Sequence, residues 1–217
     1  YLARKARKML DEAGWTECTI TVSNSLDEYL IQDLWMQDAK IDAFGVGERL
    51  ITAKSEPVFG CVYKLVAVED KDGNIVPKIK ISENVGKITT PHFKKLYRFY
   101  GRDTGKAIAD YLTVYDETVD DSQNLEIFDP DATWKRKEVY HFEARELLVP
   151  IYQKGKLVYK RPGIEEIKKY CAEQVDTLWD EVKRFDNPHN YYVDLSQRLY
   201  DIKAELLNEK NERYEKN

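Results

Sequence analysis

The sequence predicts an α/β fold with a β-rich second section and C-terminal helices, and three changes of pattern along the chain support this. Residues 1–57 combine helical spacing with one strand–helix–strand pattern. Residues 58–160 form short strand patterns separated by turn residues, and residues 161–217 return to helical spacing. We therefore predict an α/β unit, an antiparallel second domain, and helices that pack on that second domain.

The first predicted element is a helix over residues 2–13, with apolar residues along one stripe and Gly14 as its stop. It follows directly on Tyr1 rather than on a methionine. The single strand–helix–strand unit that comes next cannot close a barrel or cover both faces of a parallel sheet. We therefore expect the chain to be a piece of a longer protein that holds the remaining strands.

The strand–helix–strand unit is predicted, in that order, at residues 18–22, 25–37 and 41–44. Ser25 stands at the start of the helix and Glu28 follows three residues later, which is the spacing of a capping box. Ser23 and Asn24 then fall in the loop at the carboxyl end of the first strand.

A Gly-x-Gly turn follows the second strand, with Gly45, Val46 and Gly47 ahead of Glu48 and Arg49. Glycines lack side chains, so a phosphate can approach the backbone N–H groups of such a turn closely. An isolated Gly-x-Gly is more often an ordinary turn. Here the loops after both strands share one edge, where parallel α/β proteins gather their ligands, and this position favours a phosphate site.

The second section reads as an antiparallel domain. Residues 58–69 and 75–81 flank a turn with Asp-Gly and Gly-Asn pairs, which predicts a hairpin. Further strands are predicted at residues 95–100, 108–115 and 139–142, and as a second hairpin at 147–152 with 156–160. The acidic residues 116–131 are predicted to form a flexible loop, because their carboxylates lack the ordered spacing of a metal site.

Two structural helices are predicted in the last section. The first covers residues 164–185 and ends before Asn187-Pro188. The second is predicted to start at Asp194, with Gln197 completing a capping-box-like pair, and its charged tail from Asn208 is expected to fray.

Composition excludes several classes of function. A formal net charge of −5 argues against a nucleic-acid partner, although it allows a local basic site for a phosphorylated metabolite. The three cysteines are widely separated and lack metal-ligand spacing, so we expect no metal site. No apolar run approaches the roughly 20 residues of a membrane span, so we expect no membrane partner and a cytoplasmic location.

A basic segment between residues 78 and 98 concentrates cations within this acidic chain. Lys78 and Lys80 are its first members, and both are candidate ligands for phosphate or pyrophosphate. Their alternation with apolar residues equally suits the solvated face of a strand, and the sequence leaves both interpretations open.

The chain resembles the C-terminal half of the nicotinate phosphoribosyltransferase family. The resemblance is most specific in the run Asp42-Ala43-Phe44-Gly45-Val46-Gly47-Glu48-Arg49-Leu50 and extends over nearly the whole chain. Other matching segments are Lys5-Ala6-Arg7-Lys8-Met9-Leu10, Val62-Tyr63-Lys64-Leu65-Val66-Ala67, Lys80-Ile81-Ser82-Glu83, Leu147-Leu148-Val149-Pro150, Leu178-Trp179-Asp180-Glu181 and Val193-Asp194-Leu195-Ser196.

This resemblance implies that residues 1–57 end an incomplete α/β barrel of the type II phosphoribosyltransferase kind, packed against a second domain. The family makes nicotinate mononucleotide from nicotinate and phosphoribosyl pyrophosphate, coupled to ATP hydrolysis and with Mg²⁺ expected, in NAD salvage. It further implies that the N-terminal half of the same enzyme is a partner and that the enzyme is a homodimer.

The resemblance also implies roles for particular residues. Residues 45–49 would hold the ribose 5-phosphate, and Ser23 and Asn24 would lie beside the ribose. Family members often carry threonine where this chain has Glu48, so we expect the backbone to bind the phosphate. We expect Glu48 to point away from it or to pair with a cation such as Arg49 or a lysine of the basic segment. Likewise, His92 stands where a glycine commonly follows the proline.

No catalytic residue is expected in this chain. The family's Arg-x-Asp-Ser-Gly-Asp motif would lie immediately before Tyr1, and its phosphorylated histidine lies further upstream, so the chain alone is expected to be inactive. Two other functions stay open: a noncatalytic phosphoribosyl-binding or assembly module, and a related quinolinate or nicotinamide phosphoribosyltransferase. The activity of the full-length protein and the identity of its product would discriminate among these.

Overall fold

A computed structural model describes the backbone of residues 1–215 and side chains as far as Glu209. The chain divides into two compact units, Tyr1–Val62 and Tyr63–Asn217. Each unit is considered by itself below, and the domain boundaries at residues 57/58 and 160/161 stay predictions.

The first unit is a small α/β unit. Its elements are α1 (Leu2–Glu12), β1 (Thr21–Ser23), α2 (Glu28–Met36), β2 (Ala43–Gly45) and the one-turn α3 (Glu48–Ile51). Strands β1 and β2 are parallel neighbours, with Val22 opposite Phe44 and Ser23 opposite Gly45. The strand–helix–strand prediction is confirmed, although each strand is short and displaced by a few residues from its expected bounds.

Helix α2 begins later than the sequence pattern predicts. Asn24 and Ser25 have left-handed backbone angles, with φ of 88° and 53°, so they form the turn after β1 and lie outside the helix. The cap is Asp27, whose Oδ1 accepts the N–H of Leu30 at 2.9 Å. The predicted capping box at Ser25 is therefore wrong, because the nearby aspartate takes the capping position for which it is equally suited.

The second unit is built mainly from strands. Its elements are β3 (Ala67–Glu69), β4 (Ile75–Pro77), a 3-10 turn (Val85–Lys87), β5 (Lys94–Gly101), β6 (Ala107–Val114), β7 (Leu125–Phe128), β8 (Arg136–Val139), β9 (Phe142–Glu146), β10 (Tyr152–Gln153), β11 (Lys156–Leu157), α4 (Ile164–Asp176), β12 (Val193–Leu195) and α5 (Gln197–Glu215).

Four of these strands form one sheet in the order β12-β6-β5-β9. Strand β5 is antiparallel to both β6 and β9, whereas β12 lies parallel to β6. Three separate antiparallel pairs, β3–β4, β7–β8 and β10–β11, complete the strand pairing in the described part of the chain. The predicted antiparallel character is confirmed, with one parallel strand at the edge that the sequence pattern misses.

The core of the second unit lies on one face of this sheet. Phe99 and Phe142 are fully buried there, and their ring centroids are 4.7 Å apart. The remaining buried members of this cluster are Tyr97, Ala109, Tyr111, Ile127 and Val139. A second small cluster joins Val114 and Leu195 to Leu199 of α5, so α5 is anchored to the sheet by an apolar contact.

Helix α4 ends at Asp176, well before the predicted end at residue 185. Lys106 Nζ donates to the carbonyls of Asp176 at 2.7 Å and Leu178 at 3.3 Å, and the N–H of Ala107 donates to the carbonyl of Thr177 at 2.8 Å. These bonds satisfy the carbonyl of Asp176, the last helical residue, and those of the two residues that follow it, where the chain leaves the helix.

The last helix also starts later than predicted. Asp194 lies in β12, and Ser196 is the residue whose Oγ accepts the N–H of Leu199 at 3.2 Å. Helix α5 continues through Asn208, where fraying is predicted, as far as Glu215, while residues 216–217 lie outside the described part of the chain.

Two further predictions, a strand at residues 139–142 and a loop at residues 116–131, differ from the structure. The predicted strand at residues 139–142 is the junction at which β8 ends and β9 begins, and His141 turns there with φ of 49°. The acidic residues 116–131 include β7 and make ordered contacts, since Asp116 pairs with Arg198 and Asp121 pairs with Arg102. A flexible acidic loop is therefore the wrong description of this segment.

Candidate functional site

The candidate phosphate site lies at the carboxyl ends of β1 and β2. Ser23 and Gly45 are the last residues of these strands and are paired directly across the parallel ladder. The loops that start at Asn24 and Val46 therefore leave the same edge of the two-stranded sheet. Three of the residues singled out from the sequence, Ser23, Asn24 and Gly45, are thus neighbours.

Gly45 is needed for the close approach of the two strands. A Cβ atom placed on Gly45 would lie 3.1 Å from Cβ of Ser23 and 3.8 Å from the carbonyl oxygen of Val22. Gly47 differs, because a Cβ at that position would meet no described atom within 4 Å, and its φ is −108°. The space beside Gly47 is open, so a ligand could approach the backbone there.

Helix α3 begins immediately after Gly47. The N–H groups of Glu48 and Arg49 belong to its first turn, where α-helical geometry supplies no acceptor within the helix. Such groups are available to an anion that approaches the start of the turn. The geometry of residues 45–49 is consistent with a phosphate cradle made mostly of backbone atoms.

An ion pair joins this loop to the start of α2. Arg49 Nη1 donates to Oδ2 of Asp27, whose other oxygen caps α2. A second link lies nearby, where Ser55 Oγ donates to Oε1 of Glu28 at 2.6 Å. The hydrogen bond from Ser55 lowers the pKa of the Glu28 carboxyl below its ordinary value. Sequence reasoning missed Asp27, although its position three residues before Leu30 is a recognisable N-cap signal.

Glu48 is exposed at the start of α3. Its expected partner Arg49 instead contacts Asp27, so that pairing is wrong. Among the described residues no ion pair of Glu48 is found. The carboxylate of Glu48 therefore contributes negative charge beside the candidate site.

The basic segment belongs to the second unit. Lys78 and Lys80 follow β4 with exposed side chains, and their backbone N–H groups donate to the carbonyl of Val66 at 2.8 Å and to Thr89 Oγ1 at 3.2 Å. Their exposed ammonium groups fit either the predicted phosphate role or a solvated face, so that role stays a prediction.

Lys94 has a structural role within the same basic segment. Its Nζ donates to three backbone carbonyls, of Thr90 at 2.8 Å, Pro91 at 3.2 Å and His92 at 2.8 Å. Burial lowers the pKa of Lys94 below its ordinary value. The turn that Lys94 fastens includes His92, whose φ of 76° is the left-handed geometry that glycine adopts most easily.

A cleft of about 470 Å³ opens in the second unit beside β6. Its lining includes Ile108, Trp179 and Tyr191 together with His141 and His189. His141 Nε2 lies 3.1 Å from Oδ1 of Asp103, and the N–H of His189 donates to the carbonyl of Glu181 at 2.8 Å. The ring Nδ1 of His189 lies 3.2 Å from the carbonyl oxygen of Asn190, so each imidazole has a local partner.

The described residues contain no group of three or more His, Cys, Asp or Glu side chains arranged to hold a metal ion. Cys18, Cys61 and Cys171 are exposed and form no disulfide bond. Within residues 1–215, no helix is both long and apolar enough to cross a membrane.

Comparison with protein families gives a match over residues 93–203 to the family described as nicotinate phosphoribosyltransferase C-terminal domain. Among individual proteins, the chain is 44% identical over 215 residues to a nicotinate phosphoribosyltransferase of Bacillus subtilis (strain 168), covering 99% of this chain and 44% of that protein. It is 37% identical over 184 residues to the Caenorhabditis elegans protein of the same name, covering 84% of this chain and 32% of that protein.

A solved structure is also similar. The crystal structure of human nicotinic acid phosphoribosyltransferase matches with a TM-score of 0.63 and 23% identity, over 94% of this chain and 36% of that chain. At this identity the match supports the fold. This chain spans less than half the length of each of these relatives.

Proposed function

The chain belongs to the nicotinate phosphoribosyltransferase family, and we propose from this that it forms the C-terminal part of an enzyme that makes nicotinate mononucleotide. The substrates are nicotinate and phosphoribosyl pyrophosphate, the reaction is coupled to ATP hydrolysis, and the enzyme serves NAD salvage. The remaining parts of the proposal are a cytoplasmic homodimer, an incomplete α/β barrel, and an N-terminal half that carries the catalytic residues.

The direct pairing of Ser23 with Gly45 is the observation that best supports this function. The pairing places the loops after β1 and β2 together at the carboxyl ends of these strands, where parallel α/β proteins bind their ligands. In the proposed complex, the backbone N–H groups of Glu48 and Arg49 bind the ribose 5-phosphate. Ser23 and Asn24 lie beside the ribose.

The role of these residues in the reaction is positioning. The bond between C1 of the ribose and the pyrophosphate oxygen breaks, pyrophosphate leaves with the bonding electrons, and the nicotinate nitrogen forms the new bond to C1. A ribose fixed at its phosphate end is held between nucleophile and leaving group, which lowers the entropic part of the barrier. Backbone donors fixed before the substrate arrives need little reorganisation.

ATP and Mg²⁺ are proposed cofactors of the complete enzyme. Since the described residues do not form a carboxylate cluster suited to a metal ion, we assign no step on this chain to Mg²⁺. Lys78 and Lys80 are proposed to neutralise phosphate or pyrophosphate charge, supported by their exposed ammonium groups. A double substitution to glutamine tests this role through the Michaelis constant for phosphoribosyl pyrophosphate.

The test of the proposed function is identification of the product made by the full-length enzyme. With phosphoribosyl pyrophosphate and ATP supplied, nicotinate should be converted to nicotinate mononucleotide, as followed by mass spectrometry. Turnover of quinolinate or nicotinamide in preference to nicotinate would contradict the assignment. Binding of phosphoribosyl pyrophosphate without turnover of any pyridine would instead identify a noncatalytic module.

A matched experiment uses the 217-residue chain alone. We expect it to make no nicotinate mononucleotide, because the proposed catalytic residues lie outside it, while it retains weak binding of inorganic phosphate at residues 45–49. Turnover by the purified chain that depends on ATP and nicotinate would contradict the proposal that the catalytic residues lie in the N-terminal half.

A further inference from the structure

Asp27 joins the start of α2 to the proposed phosphate loop. Its Oδ1 accepts the N–H of Leu30 at 2.9 Å, and its Oδ2 accepts a hydrogen bond from Arg49 Nη1. We infer that Asp27 is a positioning residue for phosphoribosyl pyrophosphate, which acts by fixing Arg49 and with it the first turn of α3. This inference rests on the proposed function, because it assumes that residues 45–49 bind the substrate phosphate.

Capping alone does not account for both contacts of Asp27. An N-cap needs one side-chain oxygen, and asparagine serves there about as well as aspartate. The second oxygen is used for a charge-assisted bond to a residue 22 positions away in sequence. The carboxylate is largely protected from solvent, with 18% of its side chain exposed, so this ion pair is less screened than a fully exposed pair.

The surroundings of Asp27 hold it in place. Leu26, immediately before it, is buried with 5% of its surface exposed, which anchors the backbone at the cap. The hydrogen bond from Ser55 to Glu28 links the following residue of α2 to the segment beyond α3. The region of α3 is therefore tied to the start of α2 at two points, through Arg49 and through Ser55. Two attachment points restrain α3 against a rotation that a single attachment would allow.

The ion pair leaves part of the guanidinium free for a ligand. Arg49 uses Nη1 for Asp27, and 37% of its side chain is exposed. Guanidinium carries further N–H donors in a planar fork, so one edge can contact the carboxylate while another faces a phosphate oxygen. Asp27 thereby orients a cation that would otherwise sample many rotamers.

The test uses Asp27→Asn in the full-length enzyme, because this change keeps the capping oxygen and removes the charge. We expect the Michaelis constant for phosphoribosyl pyrophosphate to rise about tenfold. The turnover number and the Michaelis constant for nicotinate should change by less than about twofold, since the chemistry and the pyridine site are untouched. A purely structural role would lower stability or turnover without this selectivity.

Three further variants make the result interpretable. Arg49→Gln breaks the same ion pair without altering the cap. If circular dichroism shows that Asp27→Asn folds poorly, Arg49→Gln still tests the ion pair. The double variant should be no worse than Arg49→Gln alone, because that variant already lacks the guanidinium that Asp27 orients. Asp38→Asn is the matched control, since it removes an exposed ion pair to Lys40, 2.7 Å long, within the same unit.

The outcomes separate the inference from the proposed function. Unchanged phosphoribosyl pyrophosphate kinetics in folded Asp27→Asn, together with impaired binding in Gly47→Val, would overturn the role of Asp27 and leave the phosphate site standing. Unchanged kinetics in both variants would remove the loop from the substrate site altogether. Additive effects of Asp27→Asn and Arg49→Gln would mean that the two residues act separately, and would also overturn the inference.

Discussion

Arg98 and Asp110 face each other across β5 and β6 and are joined by two parallel hydrogen bonds. Arg98 Nε donates to Oδ1 of Asp110 at 2.7 Å, and Nη2 donates to Oδ2 at 2.8 Å. The hydroxyl of Tyr191 donates to the same Oδ1 at 3.0 Å, and the Arg98 guanidinium lies 5.7 Å from the centre of the Tyr191 ring. Burial raises the pKa of Tyr191, so its hydroxyl stays a donor at neutral pH.

The first prediction concerns this ion pair. Arg98→Met should lower the free energy of unfolding by about 3 kcal/mol, because it removes two donors from a mostly buried carboxylate and leaves it only the Tyr191 hydroxyl. The matched control is Arg198→Met, which breaks a similar two-bond pair with Asp116 whose side chains are 51% and 45% exposed. The control should lower the free energy of unfolding by much less, because solvent screens its exposed side chains. Urea unfolding of the three proteins measures both, and equal losses would contradict the prediction.

The second prediction concerns pH and Asp194. Burial and the nearby Asp129 raise the pKa of Asp194 to about 6 from its ordinary value of 3.8. The folded protein therefore holds this proton more tightly than the unfolded chain. The resulting stabilisation is fully present below pH 3.8 and is lost as the pH rises through about 6.

Asp194→Asn removes that pH dependence. Relative to the unmodified chain, the variant should be more stable at pH 7, by up to about 3 kcal/mol, and the difference should shrink toward pH 4. Unfolding free energies measured at intervals between these pH values test the change. If the unfolding free energies of the two proteins change with pH in parallel, Asp194 has the same pKa in the folded and unfolded states, which contradicts the prediction.

The third prediction concerns a buried hydroxyl. Thr113 has 1% of its surface exposed, and its Oγ1 has no hydrogen-bond partner among the described residues. Thr113→Val keeps the shape and removes the unsatisfied group, so thermal or urea unfolding should show a gain of about 1 kcal/mol. Thr177→Val is the comparison, because Thr177 Oγ1 donates to the carbonyl of Gln174 at 2.6 Å, and this variant should lose stability. A loss in both variants would refute the prediction.

The fourth prediction compares the two glycines of the proposed phosphate loop. Gly47→Val introduces a side chain into open space, so the fold should be retained, while phosphate approach is obstructed at a cost of roughly 1–3 kcal/mol. Steady-state kinetics of the full-length enzyme should show a raised Michaelis constant for phosphoribosyl pyrophosphate and little change for nicotinate. Gly45→Val instead presses on Ser23 and should destabilise the fold itself.

The fifth prediction concerns Glu48, which carries a negative charge at the start of α3. Glu48→Thr removes that charge and adds a hydroxyl that can donate to phosphate, worth about 0.5–1.5 kcal/mol. Affinity for phosphoribosyl pyrophosphate should therefore hold or improve, as measured by isothermal titration calorimetry. A large loss of affinity with an intact circular dichroism spectrum would indicate that the carboxylate positions an essential cation.

Features with local signals could be predicted from the sequence. The turns at Gly73 and Gly155 adopt positive φ values of 84° and 74°, and each connects the hairpin that its sequence predicts. The pairing of Ser23 with Gly45 also follows from a local pattern, since a strand–helix–strand unit brings the two carboxyl ends together.

Features fixed by distant contacts could not be predicted in this way. Helix α4 stops where Lys106 binds its last carbonyl, and Lys106 is 70 residues away in sequence from Asp176. Asp194 reads as a helix cap in isolation, but pairing with β6 makes it part of a strand. Within the candidate site, Arg49 selects Asp27 rather than its sequence neighbour Glu48, and only the packing of α2 near α3 decides between them.

The parallel pairing of β12 with β6 sets an order of events during synthesis. Tyr111 of β6 pairs with Asp194, so a ribosome must add many residues after β6 before its outer edge can be covered. Until then the nascent chain presents unpaired backbone groups beside a strand with several buried apolar side chains, which is a template for pairing with another nascent chain. Strand β12 is therefore the element whose arrival protects this sheet from aggregation.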